Sequence, residues 1–186
     1  MSALMICQSD SPEIIATFTE HQAISDYLEK QGVQFECWQA DKKLMDDADQ
    51  ESVMAAYQDS IDTLSKKYNF SSVDVVSLTA DHPDKAAFRQ KFLAEHTHSD
   101  FEVRFFVGGR GLFYLHLGDK VYMVLCEKGD LISVPANTTH WFDMGENPAF
   151  KCIRFFTTAD GWEGHFTGSD IAGRFPSFDE VAAELA

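Results

Sequence analysis

The sequence predicts an α+β protein in which an antiparallel β-barrel, built from the second half of the chain, is flanked by helices from the first half. Three observations carry this expectation. Helical periodicity concentrates before His96. From His96 onward, short runs rich in Phe, Val, Tyr and Ile are punctuated by Gly108-Gly109, Gly118-Asp119, Gly129-Asp130 and the Gly145 to Pro148 stretch, a spacing typical of sandwiches and barrels. The 186 residues, 45% hydrophobic and 13% aromatic, are enough to bury one core without a disulfide or metal staple. One domain over 1–186 is therefore expected, with a flanking α+β segment over 1–95, a barrel core over 96–156 and a C-terminal loop and helix over 157–186.

Taken in order, Ala3 to Cys7 reads as a strand. Thr19 with Gln22 resembles a capping box opening a helix that carries Ala23, Ile24, Tyr27 and Leu28, and Gly32 ends it. Val33 to Trp38 is strand-like. The acidic run from Asp41 to Glu51 reads as solvated surface, ahead of a longer helix with Val53, Tyr57, Ile61, Leu64 and Tyr68 on one face. Val73 to Leu78 predicts a strand, and Asp84 to Glu95 a helix burying Ala87, Phe88 and Phe92. Near the C-terminus, Gly161 to Gly168 is a glycine-punctuated loop, and Ser177 with Glu180 predicts a capping box for a last short helix.

Charge narrows the function. A formal net charge of -15 repels phosphate backbones and anionic membrane surfaces, so neither nucleic acid nor membrane is an expected partner and the substrate should be small. Cys7, Cys37, Cys126 and Cys152 form no C-x-x-C pair and read as buried thiols in a reducing compartment. Met1 to Asp10 lacks a basic n-region and a cleavage site, and no apolar run approaches the ~20 residues of a bilayer span. A soluble cytoplasmic protein is expected. The sequence carries no signal of assembly, and a monomer is the expectation.

The chemistry concentrates in His96-Thr97-His98-Ser99-Asp100-Phe101-Glu102-Val103-Arg104. As a strand, this segment puts His96, His98, Glu102 and Arg104 on one face and Phe101 and Val103 on the other. On a helix the two imidazoles would lie about 200° apart, so only the strand gathers them. A further ligand must come from elsewhere, and the strand and turn from Gly129 end at His140. Imidazoles plus one carboxylate suit iron(II), nickel(II), manganese(II) or related ions, with positions left over for water or substrate.

Together the two segments resemble the paired motifs of the cupin superfamily: H-x-H, Glu102 and Gly109, then Gly129, Pro135 and His140. The pattern departs at Gln90, Asn137 and Met144, where glycine, glycine and asparagine are expected; Asn137 tolerates the left-handed conformation glycine would supply. Within the superfamily, H-T-H-x-D-F-E-V-R, K-G-D-L-I-S-V-P-A and C-I-R-F-F at Cys152 to Phe156 resemble the acireductone dioxygenase family of methionine salvage, most clearly from His96 to about Phe156. The resemblance implies a cupin-type barrel (double-stranded β-helix) and one Fe(II) or Ni(II) per chain on His96, His98, Glu102 and His140. It implies acireductone (1,2-dihydroxy-3-keto-5-methylthiopentene) and O2 as substrates. Iron would give formate and 4-methylthio-2-oxobutanoate; nickel would give formate, CO and 3-methylthiopropanoate. The alternatives are another metal-dependent cupin enzyme, either a dioxygenase or a sugar isomerase, and a non-catalytic ligand-binding cupin.

Any single histidine is more often a hydrogen-bonded structural residue than a ligand, so the reading rests on the conjunction of spacings. His21, His82, His116 and His165 lack such company, although His165 sits in the glycine-punctuated loop and could approach the pocket. Arg104 shares the ligand face and is assigned a catalytic role, with a surface ion pair as the competing reading. Arg154 is the second catalytic candidate, because an arginine on the Cys152 and Phe156 face would point inward and need an anionic partner. Asp100 is either an acceptor behind a ligand imidazole or a turn residue. Trp162 is a candidate lid aromatic. Phe92, Phe105, Phe106, Phe142 and Phe155 read as core.

Overall fold

Every strand pairing is antiparallel, and one long strand belongs to two layers at once. The computed structural model describes residues 1–45, 47–158 and 163–185. In chain order its elements are β1 (Ala3–Gln8), β2 (Ile14–Phe18), α1 (His21–Glu29), β3 (Gln34–Cys37), α2 (Gln50–Ala56), α3 (Gln58–Tyr68), β4 (Ser72–Leu78), α4 (Lys85–Leu93), β5 (His96–Thr97), β6 (Glu102–Leu117), β7 (Lys120–Glu127), β8 (Asp130–Val134), β9 (Thr139–Asp143), β10 (Phe150–Phe156), β11 (His165–Phe166) and α5 (Phe178–Glu184). One layer runs β11-β5-β9-β6-β7-β1-β2; the other joins β3, β8, β6, β10 and β4. The first half of β6 pairs with β8 and β10, and its second half with β7 and β9. Among the described residues this ladder has open ends and does not close on itself as the predicted barrel would.

The expected turn at Gly108-Gly109 is instead a corner inside β6, where the strand passes from one layer to the other. Gly109 has φ +63°, and a Cβ built there would lie 1.6 Å from the Ala149 carbonyl oxygen, so only glycine fits.

Both faces of these strands are buried, which explains why Val121 to Cys126 of β7 reads as a continuous apolar run rather than as an alternation. Between the layers lies a core including Leu4, Phe106, Phe113, Val124, Ile132, Phe142 and Cys152. The outer face of the first layer carries Met5, Tyr114, Met123 and Trp141 and is covered by Phe175, Phe178 and Val181. On the outer face of the second, Phe105, Leu131, Ile153 and Phe155 pack under Val53, Tyr57, Ile61 and Leu64 of the helical segment. Of the phenylalanines read as core, Phe105, Phe106, Phe142 and Phe155 are buried. By alternation, Glu102 and Arg104 share the inward face with Phe106, and His140 shares it with Phe142.

Several local expectations need correction. The helix after Thr19 starts at His21 with Glu20 as an N-cap that makes no side-chain bond; Gln22 is spent on Asp26 at 2.7 Å, so no capping box forms. The single helix through Tyr68 is two, because Tyr57 leaves helical geometry at φ -113° and ψ 21°. α4 exists but has no buried residue, with Ala87 and Phe88 exposed and Phe92 only half-buried. β2 was not foreseen. The Ser177 and Glu180 capping box is complete. The four cysteines are unpaired; three are buried and Cys37 is exposed.

Candidate metal centre

Residues 96–104 are not one continuous strand. β5 stops after Thr97, the chain bends through Ser99-Asp100, and β6 opens at Glu102. The predicted convergence survives because other strands restore it. His96 lies opposite His140 in the β5/β9 ladder, His140 lies opposite Leu115 of β6, and Glu102 lies opposite Val134 of β8. His98, in the bend, is held by its carbonyl, which accepts from Asn137 N at 2.7 Å. Asn137 has φ +61°, the left-handed conformation anticipated for it.

One ligand atom from each of His96, His98, Glu102 and His140 falls within 4.8 Å of all the others. Each imidazole is oriented by a backbone carbonyl. His96 Nδ1 bonds Ala94 O at 2.7 Å, His98 Nδ1 bonds Glu163 O at 3.1 Å and His140 Nδ1 bonds Thr138 O at 2.7 Å. A carbonyl only accepts, so each Nδ1 carries the proton. In the neutral ring, Nε2 is then a lone pair. Two such atoms, His98 Nε2 and His140 Nε2, stand 3.0 Å from Glu102 Oε2, and Glu102 is 1% exposed. Lone pairs facing a buried carboxylate repel unless positive charge lies among them. Burial, helped by the neighbouring His140, lowers the His96 pKa to about 4, so that ring supplies no charge at neutral pH. The donor set thus fits a divalent cation held by three imidazole nitrogens and one carboxylate.

Burial alone would raise the Glu102 carboxyl; the Arg104 charge and the contacts with His140 and His98 instead hold it well below the usual carboxylate range. Arg104 Nε pairs with Glu102 Oε1, the oxygen facing away from the imidazoles. Its guanidinium lies over Phe142 at 4.9 Å, Phe113 at 5.1 Å and Phe92 at 6.0 Å. The bend at Ser99-Asp100 therefore does not turn Arg104 outward, and the surface-pair alternative is excluded by its 5% exposure.

Arg154 lies opposite Arg104 across β6 and β10, on the same sheet face. Its guanidinium is bound by Asp74, its register partner on β4, with Nε to Oδ1 at 2.7 Å. This is the anionic partner an inward arginine requires. Asp100 proves to be a turn residue: Oδ1 accepts from Phe101 N at 2.8 Å and Oδ2 from Thr157 N at 3.1 Å. His165 is exposed, yet its strand reaches the site, because Phe166 is the register partner of His96 and its ring lies 5.7 Å away. Trp162 lies outside the described residues. His116 pairs with Glu95 at 3.5 Å, on the flank of the centre.

Sequence reasoning missed Asp74, Phe113 and the three carbonyl anchors. Two of those anchors stand two residues before their histidine, Ala94 before His96 and Thr138 before His140, and that short relation is the one signal that could have found them.

The model of the ARD/ARD' family matches residues 6–164. Acireductone dioxygenase of Methylococcus capsulatus is 58% identical over 178 residues, covering 96% of this chain and 94% of that protein. That of Aquifex aeolicus is 55% identical over 181 residues, covering 97% and 98%. Among solved structures, the acireductone dioxygenase from Bacillus anthracis with a cadmium ion in its active centre superposes with TM-score 0.77 at 28% identity, over 89% of this chain and 98% of that one. The likeness thus extends well beyond the His96 to Phe156 segment, and the chain belongs to the acireductone dioxygenase (ARD/ARD') family.

Proposed function

We propose that this protein cleaves acireductone with O2 as a metal-dependent dioxygenase, holding one Fe(II) or Ni(II) per chain on His96, His98, Glu102 and His140. The observation that carries the reading is the convergence of carbonyl-oriented imidazoles on the buried Glu102 carboxylate. A bound first-row ion supplies Lewis acidity and open coordination positions for an oxygen-donor substrate. The protein's own groups do the rest. Because the Nδ1 protons are committed to Ala94, Glu163 and Thr138, the imidazoles neither give nor take protons during turnover. Arg104, permanently charged and walled by Phe92, Phe113 and Phe142, favours the deprotonated ene-diol over the neutral one and offers it guanidinium donors. The same rings exclude water from that end of the site and suit the methylthioalkyl tail. Arg154, its charge balanced by Asp74 on the same sheet face, offers guanidinium donors rather than net charge to the substrate's oxygens.

In this reading the chain acts as a single cupin-type unit over 1–186, its two layers serving as a barrel, and works as a cytoplasmic monomer. Iron would direct the products to formate and 4-methylthio-2-oxobutanoate, and nickel to formate, CO and 3-methylthiopropanoate. Product analysis of one polypeptide stripped and reloaded with each ion tests this. CO from the nickel form alone is expected; CO from both forms or from neither contradicts it.

A further inference from the structure

The helix that leads into the metal centre is held at few points. α4 has no buried residue, yet it supplies Phe92 to the cage over Arg104 and runs within two residues of Ala94, whose carbonyl orients His96. Its inward side consists of Arg89, Phe92 and Leu93, spaced i, i+3 and i+4. Phe92 meets Phe142 edge-on at 6.0 Å, and the fixed point is Arg89. Arg89 Nε donates to Asp143 Oδ1 at 2.8 Å and Nη2 to Asp143 Oδ2 at 3.0 Å, a two-pronged pair. Glu146 at 3.8 Å and Asp179 at 3.6 Å add acidic surroundings.

Asp143 is 1% exposed and fully committed: besides Arg89 it accepts from Gly145 N at 2.9 Å and Phe178 N at 2.9 Å. It also ends β9, the strand that carries His140. Anchor and ligand therefore share one short strand.

We propose that Arg89 is a positioning residue for the site: through Asp143 it docks α4 on β9, so that Phe92 closes the cage over Arg104. The effect on catalysis rests on the function proposed above, whereas the docking itself does not. A merely stabilising pair would lower stability everywhere; a positioning pair acts on this wall and on substrate binding.

The test uses the metal-loaded full chain with Arg89→Met and Arg89→Lys. Amide hydrogen exchange over residues 85–94 should quicken about tenfold in Arg89→Met, with β6 and β7 unchanged, and Lys should fall between because it restores charge without the fork. KM for acireductone should rise roughly tenfold while kcat moves much less, as loss of a binding wall requires. Adding Phe92→Ala to Arg89→Met should raise KM little further, since both changes remove the same contact. Unchanged exchange over 85–94 in both variants would overturn the proposal. So would a fall in kcat at constant KM, or additivity of the two substitutions. Should Arg89→Met fail to fold, Arg89→Lys decides alone, with wild-type exchange over 85–94 counting against the docking. A wild type inert towards acireductone would remove the functional reading, and the exchange measurement would still decide the docking.

Discussion

Arg104→Ala separates the two jobs assigned to one side chain. Arg104 and Glu102 are 5% and 1% exposed, so removing the guanidinium strands a buried carboxylate. Breaking a buried pair in this way costs roughly 3–5 kcal/mol. For a chain of this size each kcal/mol lowers Tm by about 2–4 °C, so the metal-free variant should melt roughly 6–20 °C below the metal-free wild type. A bound divalent ion compensates Glu102 in the variant, leaving chiefly the lost guanidinium-on-ring contacts, worth up to ~2 kcal/mol, or about 4–8 °C. Metal content should stay near wild type. Turnover should still fall by about 10²–10³, the usual loss when a buried donor to developing negative charge is deleted, and Arg104→Lys should recover part of it. Melting curves with and without metal, alongside oxygen uptake, read both effects. Equal melting deficits in the two forms would refute the role in holding Glu102, and full activity would refute the role towards substrate.

Three further outcomes follow from the same geometry. His96→Ala, His98→Ala or His140→Ala should each lower metal content and abolish turnover, whereas His116→Ala should keep its metal; elemental analysis after gel filtration decides. In the metal-free protein the depressed His96 pKa, about 4 against the ordinary 6.5, means the unfolded chain takes up that proton first on acidification. The His96 contribution to stability should therefore be complete above pH 6.5 and be lost as pH falls towards 4, a slope that His96→Gln should reduce between pH 6.5 and about 5 in denaturant titrations. Gly109→Ala must adopt φ +63° and meet the Ala149 carbonyl, so it should cost roughly 3 kcal/mol or fail to fold; a wild-type Tm would show that the β6 corner can relax.

Much of the site was legible because its information is local. The candidate ligands His96, His98 and Glu102 lie within one short segment, and His140 follows a turn whose Pro135 and Asn137 are visible in sequence. Even the departure at Asn137 could be judged correctly from side-chain chemistry. What escaped was non-local. Asp74 meets Arg154 through a ladder between strands about eighty residues apart, as their own numbers show, and no spacing within either strand announces that register. Gly108-Gly109 carries the composition of a turn, yet cross-strand pairing on both sides keeps β6 running through it. The periodicity of α4 predicts a buried face, but the helix is attached by the ion pairs of Arg89 with the half-buried Phe92 and Leu93, which apolar periodicity cannot register.

The central claim is that this four-ligand centre consumes oxygen with acireductone. It is tested most directly by initial oxygen uptake with acireductone, measured as the stripped protein is titrated with iron(II). The account predicts a rate that rises in proportion to bound metal, saturates at one ion per chain and yields one formate for each O2 consumed. Uptake that is absent at full occupancy, or as fast in the stripped protein, would contradict it.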